Sequence, residues 1–307
     1  MVSPQLLRDI PGFADWVTVH PLNRGWSKDQ KFYIEDASGS RLLLRVARPE
    51  QYHRKKLEYG RITRFAGLDI VMPRPVDFGR CDGGSRVYTL LTWVDGREAE
   101  AVLPELADEQ QYQLGVCAGG ILRQMHSLPA PDGENAWSER YGRKIESVID
   151  RYLKCEVRVP CEESIIEFLC SSTTHLEGRP QSLQHGDYHT GNMLVTPGMR
   201  LGVIDFDRCS AGDPWEEYDR FVFSWRCSVP FALGQLHGYF DGCVPADFFR
   251  LMCLYNATNL LASIPWAADF GADELQAMLC NARRVAECYN GFSTCVPTWY
   301  REPAGTM

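Results

Sequence analysis

Up to residue 95 the chain runs in short apolar stretches separated by turn residues, which predicts strands. They fall at Trp16–Pro21, Lys31–Glu35, Arg41–Ala47, Val76–Gly79 and Arg86–Val94. Ser38-Gly39 marks a hairpin turn, Gln5–Val17 reads as a short helix broken at Pro11-Gly12, and a longer helix is expected over Glu50–Phe65. Further on, the apolar spacing lengthens to three and four. Leu114, Ala118, Ile121, Leu122 and Met125 predict a long core helix within Leu106–Leu128. Helices are also expected over Trp137–Lys154, Glu162–His175, Trp215–Cys227, Phe231–Phe240, Ala246–Ser263 and Asp273–Asn290. Between the helical stretches Glu162–His175 and Trp215–Cys227, Met193–Val195 and Leu201–Ile204 flank a turn at Thr196–Met199, the pattern of a short hairpin.

That hairpin changes the picture from fold to chemistry. It carries Asn192 and Asp205 to one end, with Asp187 one loop upstream, inside Gln184-His-Gly-Asp-Tyr-His-Thr-Gly-Asn-Met-Leu-Val195. Two neighbouring oxygen ligands suit a hard cation such as Mg²⁺, whose other ligands are water and phosphate oxygens. Asp187 is then free to accept a proton.

A chain of 307 residues is long enough for two lobes with a sizeable core. No apolar stretch approaches the ~20 residues that cross a bilayer. The first residues carry Asp9 and Asp15 and do not read as a secretory signal. The 12 cysteines are scattered without a Cys-x-x-Cys pair, so reduced thiols, no zinc site and a cytoplasmic location are expected. The net charge of −8 divides unevenly, +4 over residues 1–95 and −12 over the remainder. A basic front suits a nucleotide, and an acidic back suits a cation while repelling nucleic acid and anionic membrane.

The order His185-x-Asp187, Asn192 five residues later and Asp205 after a strand resembles the catalytic core of the protein-kinase-like fold. In detail, His185-Gly-Asp-Tyr-His-Thr-Gly-Asn192 together with Asp213-Pro214 resembles the aminoglycoside phosphotransferase and choline-kinase-like family. The resemblance implies an α+β, two-lobed fold: residues 1–95 as a nucleotide-binding lobe with a small antiparallel sheet, a hinge near 92–96, and residues 96–307 as a helical lobe with the catalytic loop and acceptor site. It also implies ATP or GTP with Mg²⁺, Asp187 as base, and Asn192 and Asp205 as metal ligands.

By the same resemblance Arg45 grips phosphate with Glu58 as its acidic partner. The loop Asn23–Lys28, which lacks a Gly-rich signature, would offer Ser27 and nearby amides to the phosphates. The Thr92 carbonyl and Val94 amide would meet the base. His185 and His189 are expected to be structural. Gly186 stands where protein kinases carry an Arg, and Asp213 follows Asp205 by only eight residues, leaving no room for a peptide platform. The expected acceptor is therefore a small hydroxyl compound. Six acids within Asp205–Arg220 make Asp207, Asp213, Glu216, Glu217 and Asp219 candidates for binding a cationic one, an aminoglycoside first of all. Asp207 also offers a carboxylate for a second ion. A metabolic kinase for an amino alcohol, a sugar or homoserine shares every motif. A nucleotide-binding pseudoenzyme does not need Asp187. The expected state is a monomer or weak dimer.

Overall fold

The structure, a computed structural model, describes residues 4–23 and 27–302. In chain order its elements are β1 (Trp16–Leu22), β2 (Gln30–Asp36), β3 (Arg41–Ala47), α1 (Tyr52–Phe65), β4 (Pro75–Cys81), β5 (Arg86–Thr92), β6 (Arg97–Glu98), α2 (Ala99–Val102), α3 (Asp108–His126), α4 (Trp137–Leu153) and α5 (Glu162–Ser171). They continue with β7 (Ser182–Gln184), β8 (Met193–Val195), β9 (Leu201–Val203), β10 (Ser210–Gly212), α6 (Val222–Cys227), α7 (Val229–Tyr239), α8 (Ala246–Ala268) and α9 (Ala272–Cys288). Two compact units emerge, Met1–Arg97 with Asn192–Ser210, and Glu98–Gly191 with Ala211–Met307. Residues 192–210, assigned on sequence to the second segment, thus group with the first. The hairpin stays with the unit that holds α1 because Val203 N donates to Val71 O at 2.9 Å and Phe206 packs on Phe65.

In the first unit five antiparallel strands run in the order β1-β2-β3-β5-β4. Side chains alternate across a strand. Phe32 and Ile34 of β2, Leu44 and Val46 of β3, and Tyr88 and Leu90 of β5 therefore share one face, where Leu7 and Ile10 complete the core. The same alternation sends Arg45 to the opposite face. Helix α1 buries Lys55, Glu58, Ile62 and Phe65, one stripe at three- and four-residue spacing. The 193–203 hairpin pairs Met193 with Val203 and Val195 with Leu201, and Gly198 and Met199 make its turn at φ 83° and 61°.

The second unit is helical. Its closest packing is between α3 and α7, where glycines let the backbones touch. A Cβ on Gly119 would lie 2.2 Å from Gln235 O, and one on Gly234 would lie 2.1 Å from Tyr112 O. The buried stripe of α3 is therefore Leu114, Gly115, Ala118, Gly119, Leu122 and Met125. Ile121, expected inside, is only half-buried because glycines supply that contact.

Three other expectations shift. Gln5–Val17 forms two 3₁₀ turns, Pro4–Leu7 and Phe13–Asp15, on either side of Gly12 at φ 84°. Residues Pro214–Arg220 form a 3₁₀ helix, started by Pro214 and capped where Asp213 accepts Trp215 N–H. Helix α8 runs beyond Ser263 and through Pro265 to Ala268. Among the described residues no helix is long and apolar enough to cross a membrane.

Candidate active site

The first unit contains a dense group of charges on the face of β3 away from the apolar core. The Arg45 guanidinium donates from Nε and Nη2 to Asp29 Oδ2 at 3.2 and 3.1 Å, from Nη1 to Asp205 Oδ1 at 3.1 Å, and from Nη2 to Ser27 Oγ at 3.1 Å. It also pairs with Asp207. Lys55 Nζ lies 2.6 Å from Asp29 Oδ2, 3.0 Å from Glu58 Oε2 and 3.2 Å from Asp207 Oδ1. Both cations are buried, and each is surrounded by carboxylates.

Burial away from water pushes Glu58 up to about 7, against the pull of Lys55 and with the push of Asp207. Burial also disfavours the Asp207 carboxylate. Arg45 and Lys55 outweigh that and hold it well below the usual range.

Several sequence expectations are corrected by these contacts. Glu58 is bonded to Lys55, and Arg45 takes Asp29, Asp205 and Asp207 as its partners. Asp207, expected at an acceptor or second ion, is engaged by two cations within its own unit. Lys55 and Asp29 escaped the sequence reading. Arg54-Lys55-Lys56 looks like a solvated basic run, yet the 55, 58, 62, 65 spacing places Lys55 on the apolar stripe of α1.

Ser27 holds Arg45, and residues 24–26 of the loop Asn23–Lys28 lie outside the described residues. Thr92 is tied to Arg74, donating N–H to its carbonyl at 2.8 Å and accepting its N–H on Oγ1 at 2.8 Å. Val94 lines an open hollow of this unit with Ile70, Met72, Trp93 and Arg200.

Asn192 and Asp205 lie at one end of the hairpin, where Ile204 N donates to Asn192 O at 2.9 Å. Asp205 has left-handed backbone at φ 63°, a conformation that Asp tolerates better than most residues. Its carboxylate remains about one-third exposed, with Lys31 Nζ at 3.9 Å. A carboxylate and an amide oxygen at a strand end fit Mg²⁺ in kind, leaving its other positions to water and phosphate.

In the second unit the loop bearing Asp187 is fixed from below. Glu217, which is buried, accepts His185 N–H on Oε2 at 2.8 Å and Gly186 N–H on Oε1 at 2.7 Å. His185 Nδ1 accepts the Asp187 N–H at 3.2 Å, and Tyr188 Oη donates to Ala118 O of α3 at 2.7 Å. The Asp187 carboxylate pairs with Arg220, and His189 Nε2 lies 3.4 Å from its Oδ1. Arg220 was not foreseen. His189 touches the carboxylate as well as accepting Gly191 N–H at 3.1 Å.

Of the acids expected to face an acceptor, three are committed internally. Asp213 has no exposed surface, binds Arg179 at 2.7 and 2.9 Å, and accepts from Tyr255 Oη at 2.6 Å. Glu216 pairs with Lys144 at 2.6 Å and accepts from Gln184 Nε2 at 3.2 Å. Glu217 is spent on the loop amides. Asp219 alone of the four in 213–219 is half-buried with no hydrogen bond among the described residues. Burial pushes it up to about 6 despite Arg220 and Lys144 nearby.

The pattern of the phosphotransferase enzyme family matches residues 18–249, three quarters of the chain. The chain belongs to that family. This phosphotransferase resembles solved aminoglycoside phosphotransferases throughout its length. The apo form of a thermostable APH(4)-Ia variant aligns over 95% of this chain and 100% of that one, with TM-score 0.67 and 16% identity. The ADP-bound APH(2'')-Ib aligns over 91% and 96%, with TM-score 0.62 and 16% identity. These likenesses establish the α+β, protein-kinase-like fold of the phosphotransferase. In sequence, an uncharacterized protein of Deinococcus radiodurans is 27% identical over 155 residues, 48% of this chain and 42% of that protein, so the match spans under half of the relative.

Proposed function

We propose that this phosphotransferase moves the γ-phosphoryl group of ATP, or GTP, to a hydroxyl of a small molecule. The observation that carries this reading is the arrangement of Asp187, its loop amides held by Glu217 and its carboxylate steered by Arg220. Phosphoryl transfer goes through a loose transition state, so positioning and charge neutralisation supply most of the catalysis. Asp187 orients the acceptor hydroxyl and takes its proton late. Arg220 and His189 keep that carboxylate aimed.

Arg45, preset by Asp29 and Ser27, grips the phosphates with a planar fork. Asn192 and Asp205 would hold Mg²⁺, which would supply charge neutralisation at the phosphate oxygens. Nucleotide use is supported by relatives of the same fold solved with ADP, APH(2'')-Ib and an APH(4)-Ia variant in ternary complex with ADP and hygromycin B.

Two acceptor readings remain distinct. An aminoglycoside is supported by the −12 charge of residues 96–307 and by same-fold relatives solved with hygromycin B and gentamicin. A less charged acceptor, such as an amino alcohol or sugar, is supported by the internal commitment of Asp213, Glu216 and Glu217. The test is ADP formation from ATP and Mg²⁺ over a panel of aminoglycosides, amino alcohols and sugars, run beside general protein substrates with labelled ATP. Turnover with a small hydroxyl compound and unlabelled protein is the expected result. Efficient protein labelling contradicts the reading.

A further inference from the structure

In the second unit the chain leaves α9 and comes back over α8. Gly291 and Phe292, at φ 65° and 66°, make the turn that sends it back. Two hydrogen bonds then tie the returning segment to the end of α9. Thr294 N donates to Tyr289 O at 3.3 Å, and Thr298 N donates to Cys288 O at 2.9 Å. Further on, the Tyr300 ring packs on Phe249 of α8 with centroids 4.6 Å apart. Residues 249 and 253 are one turn apart on that helix, so they share a face. On the same face Cys253 meets Cys295, and their two thiols share a hydrogen bond. The segment therefore touches α8 at two neighbouring turns, and one of those contacts is a pair of free thiols.

The two partners differ in the way that thiol oxidation requires. Cys253 is buried, and burial pushes its thiol well above the ordinary value. Cys295 is half-buried and reaches solvent. The hydrogen bond from Cys253 draws the Cys295 thiol down to about 7, against partial burial and with help from Arg250. A large share of Cys295 is then thiolate near neutral pH, and the thiolate is the nucleophile. Cys288 lies close to Cys253 but is otherwise engaged. Burial pushes its thiol up to about 12, and its Sγ donates to Val285 O at 3.3 Å. An accessible thiolate beside a second cysteine that can resolve it is the arrangement found in thiols that respond to oxidants.

We infer that Cys295 and Cys253 form an oxidation-sensitive pair, in which a hydroperoxide converts the two thiols into a disulfide that fastens the segment after α9 to α8. The phosphoryl transfer proposed above uses neither residue. In the first step the Cys295 thiolate attacks the terminal oxygen of the hydroperoxide. A sulfur–oxygen bond forms as the oxygen–oxygen bond breaks, and the departing oxygen takes up a proton. Cys295 is now a sulfenic acid, and the peroxide has been reduced to water or an alcohol. In the second step the Cys253 sulfur attacks the Cys295 sulfur. The sulfur–sulfur bond forms, the sulfur–oxygen bond breaks, and the oxygen leaves as water with the Cys253 proton. The new bond restricts the unfolded chain between residues 253 and 295. In the folded protein it anchors the segment that lays Trp299 on Phe221 and Trp225, with centroids 5.7 and 6.3 Å apart.

The experiment uses the full chain, reduced, freed of reductant and treated with hydrogen peroxide. Thiol counting, intact mass and peptide mapping follow the reaction. The expected product has lost two thiols, contains a Cys253–Cys295 linked peptide and is restored by dithiothreitol. Its formation rate should rise with pH to a plateau, with a midpoint near 7. The oxidised form should melt about 3 °C or more above the reduced form. Cys295→Ser, a change at a half-exposed position, should slow oxidation about tenfold or more. Cys253→Ala should leave Cys295 as a sulfenic acid that dimedone traps. Circular dichroism checks that both variants are folded, and Cys295→Ser alone decides the matter if the buried Cys253→Ala does not fold.

Reaction first at Cys117, Cys161, Cys170 or Cys243, the exposed thiols, overturns the inference. So does an unchanged oxidation rate in Cys295→Ser, or a disulfide between other cysteines. An oxidised form that melts no higher than the reduced one overturns it too, as does a Cys295 carried past the sulfenic acid while Cys253 stays reduced.

Discussion

The two units hold their charges by opposite means. In the first, Arg45 and Lys55 are buried among Asp29, Glu58, Asp205 and Asp207, and each cation bridges several acids. In the second, Asp187 faces one cation, Arg220, and a single buried acid, Glu217, secures the loop through backbone amides. The first arrangement is a network in which removing either cation takes a counter-ion from three carboxylates at once. The second is a scaffold in which each group has one task. The account assigns phosphate and metal to the network, where charge must be absorbed. It assigns proton transfer to the scaffold, where one carboxylate must be aimed.

The contrast breaks most visibly at Lys55. Lys55→Met should cost about 3–5 kcal/mol of stability, because three carboxylates lose a buried counter-ion. Urea denaturation at pH 7 measures this, and the loss should shrink in acid as the carboxylates protonate. A near-neutral Lys55→Met would mean that the acids do not depend on that ammonium.

The scaffold should respond differently. Glu217→Gln keeps the shape but can accept only one of the two loop N–H groups in the same way, leaving a buried partner short by about 1–3 kcal/mol. The cost should appear in kcat, with nucleotide affinity within twofold of wild type. An equal loss of nucleotide affinity would remove the separation between the two regions.

The smallest effect belongs to Asp219. Its folded pKa lies near 6, above the ordinary 3.8, because burial opposes its charge. A raised carboxyl pKa means that the folded state binds the proton more tightly. The stabilisation is then fully present below pH ~3.8 and lost as pH rises through ~6. Asp219→Asn should remove its share of that slope, leaving the share of Glu58, and make the protein about 1–2 kcal/mol more stable at pH 8, a figure reduced for the water on one side of the carboxyl. Thermal unfolding between pH 4 and 8 checks it. An unchanged slope would show that another group titrates there.

Both regions bear on what a sequence can disclose. The loop motif was legible because its parts lie close along the chain: His185 to Asn192 are contiguous and Asp205 follows a recognisable hairpin, whereas Arg220 and the loop-holding role of Glu217 come from more than twenty residues away and were not. The strands and α1 were legible because apolar spacing dictates them. The network was not, since Asp29, Arg45, Lys55 and Asp207 come together only through the order of β2, β3 and α1 and the placement of the hairpin. Their charges look like ordinary surface residues until burial is known. The acidic run at 205–219 misled for the same reason. Composition counts carboxylates, whereas the fold decides that Asp213 faces Arg179 and Glu217 faces amides. The glycine contact of α3 with α7 was hidden too, because a glycine in an apolar stripe contributes no hydrophobic signal.

The central claim is that Asp187 serves proton transfer while the first unit serves the nucleotide. Asp187→Asn tests it most directly, with kcat measured for the best acceptor and ATP–Mg²⁺ affinity and melting temperature measured on the same samples. The account predicts that kcat falls by ~10²–10⁴-fold, the usual contribution of a positioned base, with nucleotide Kd and melting temperature near those of the wild type. An unchanged kcat, or a fall explained entirely by lost folding or lost nucleotide binding, would contradict it.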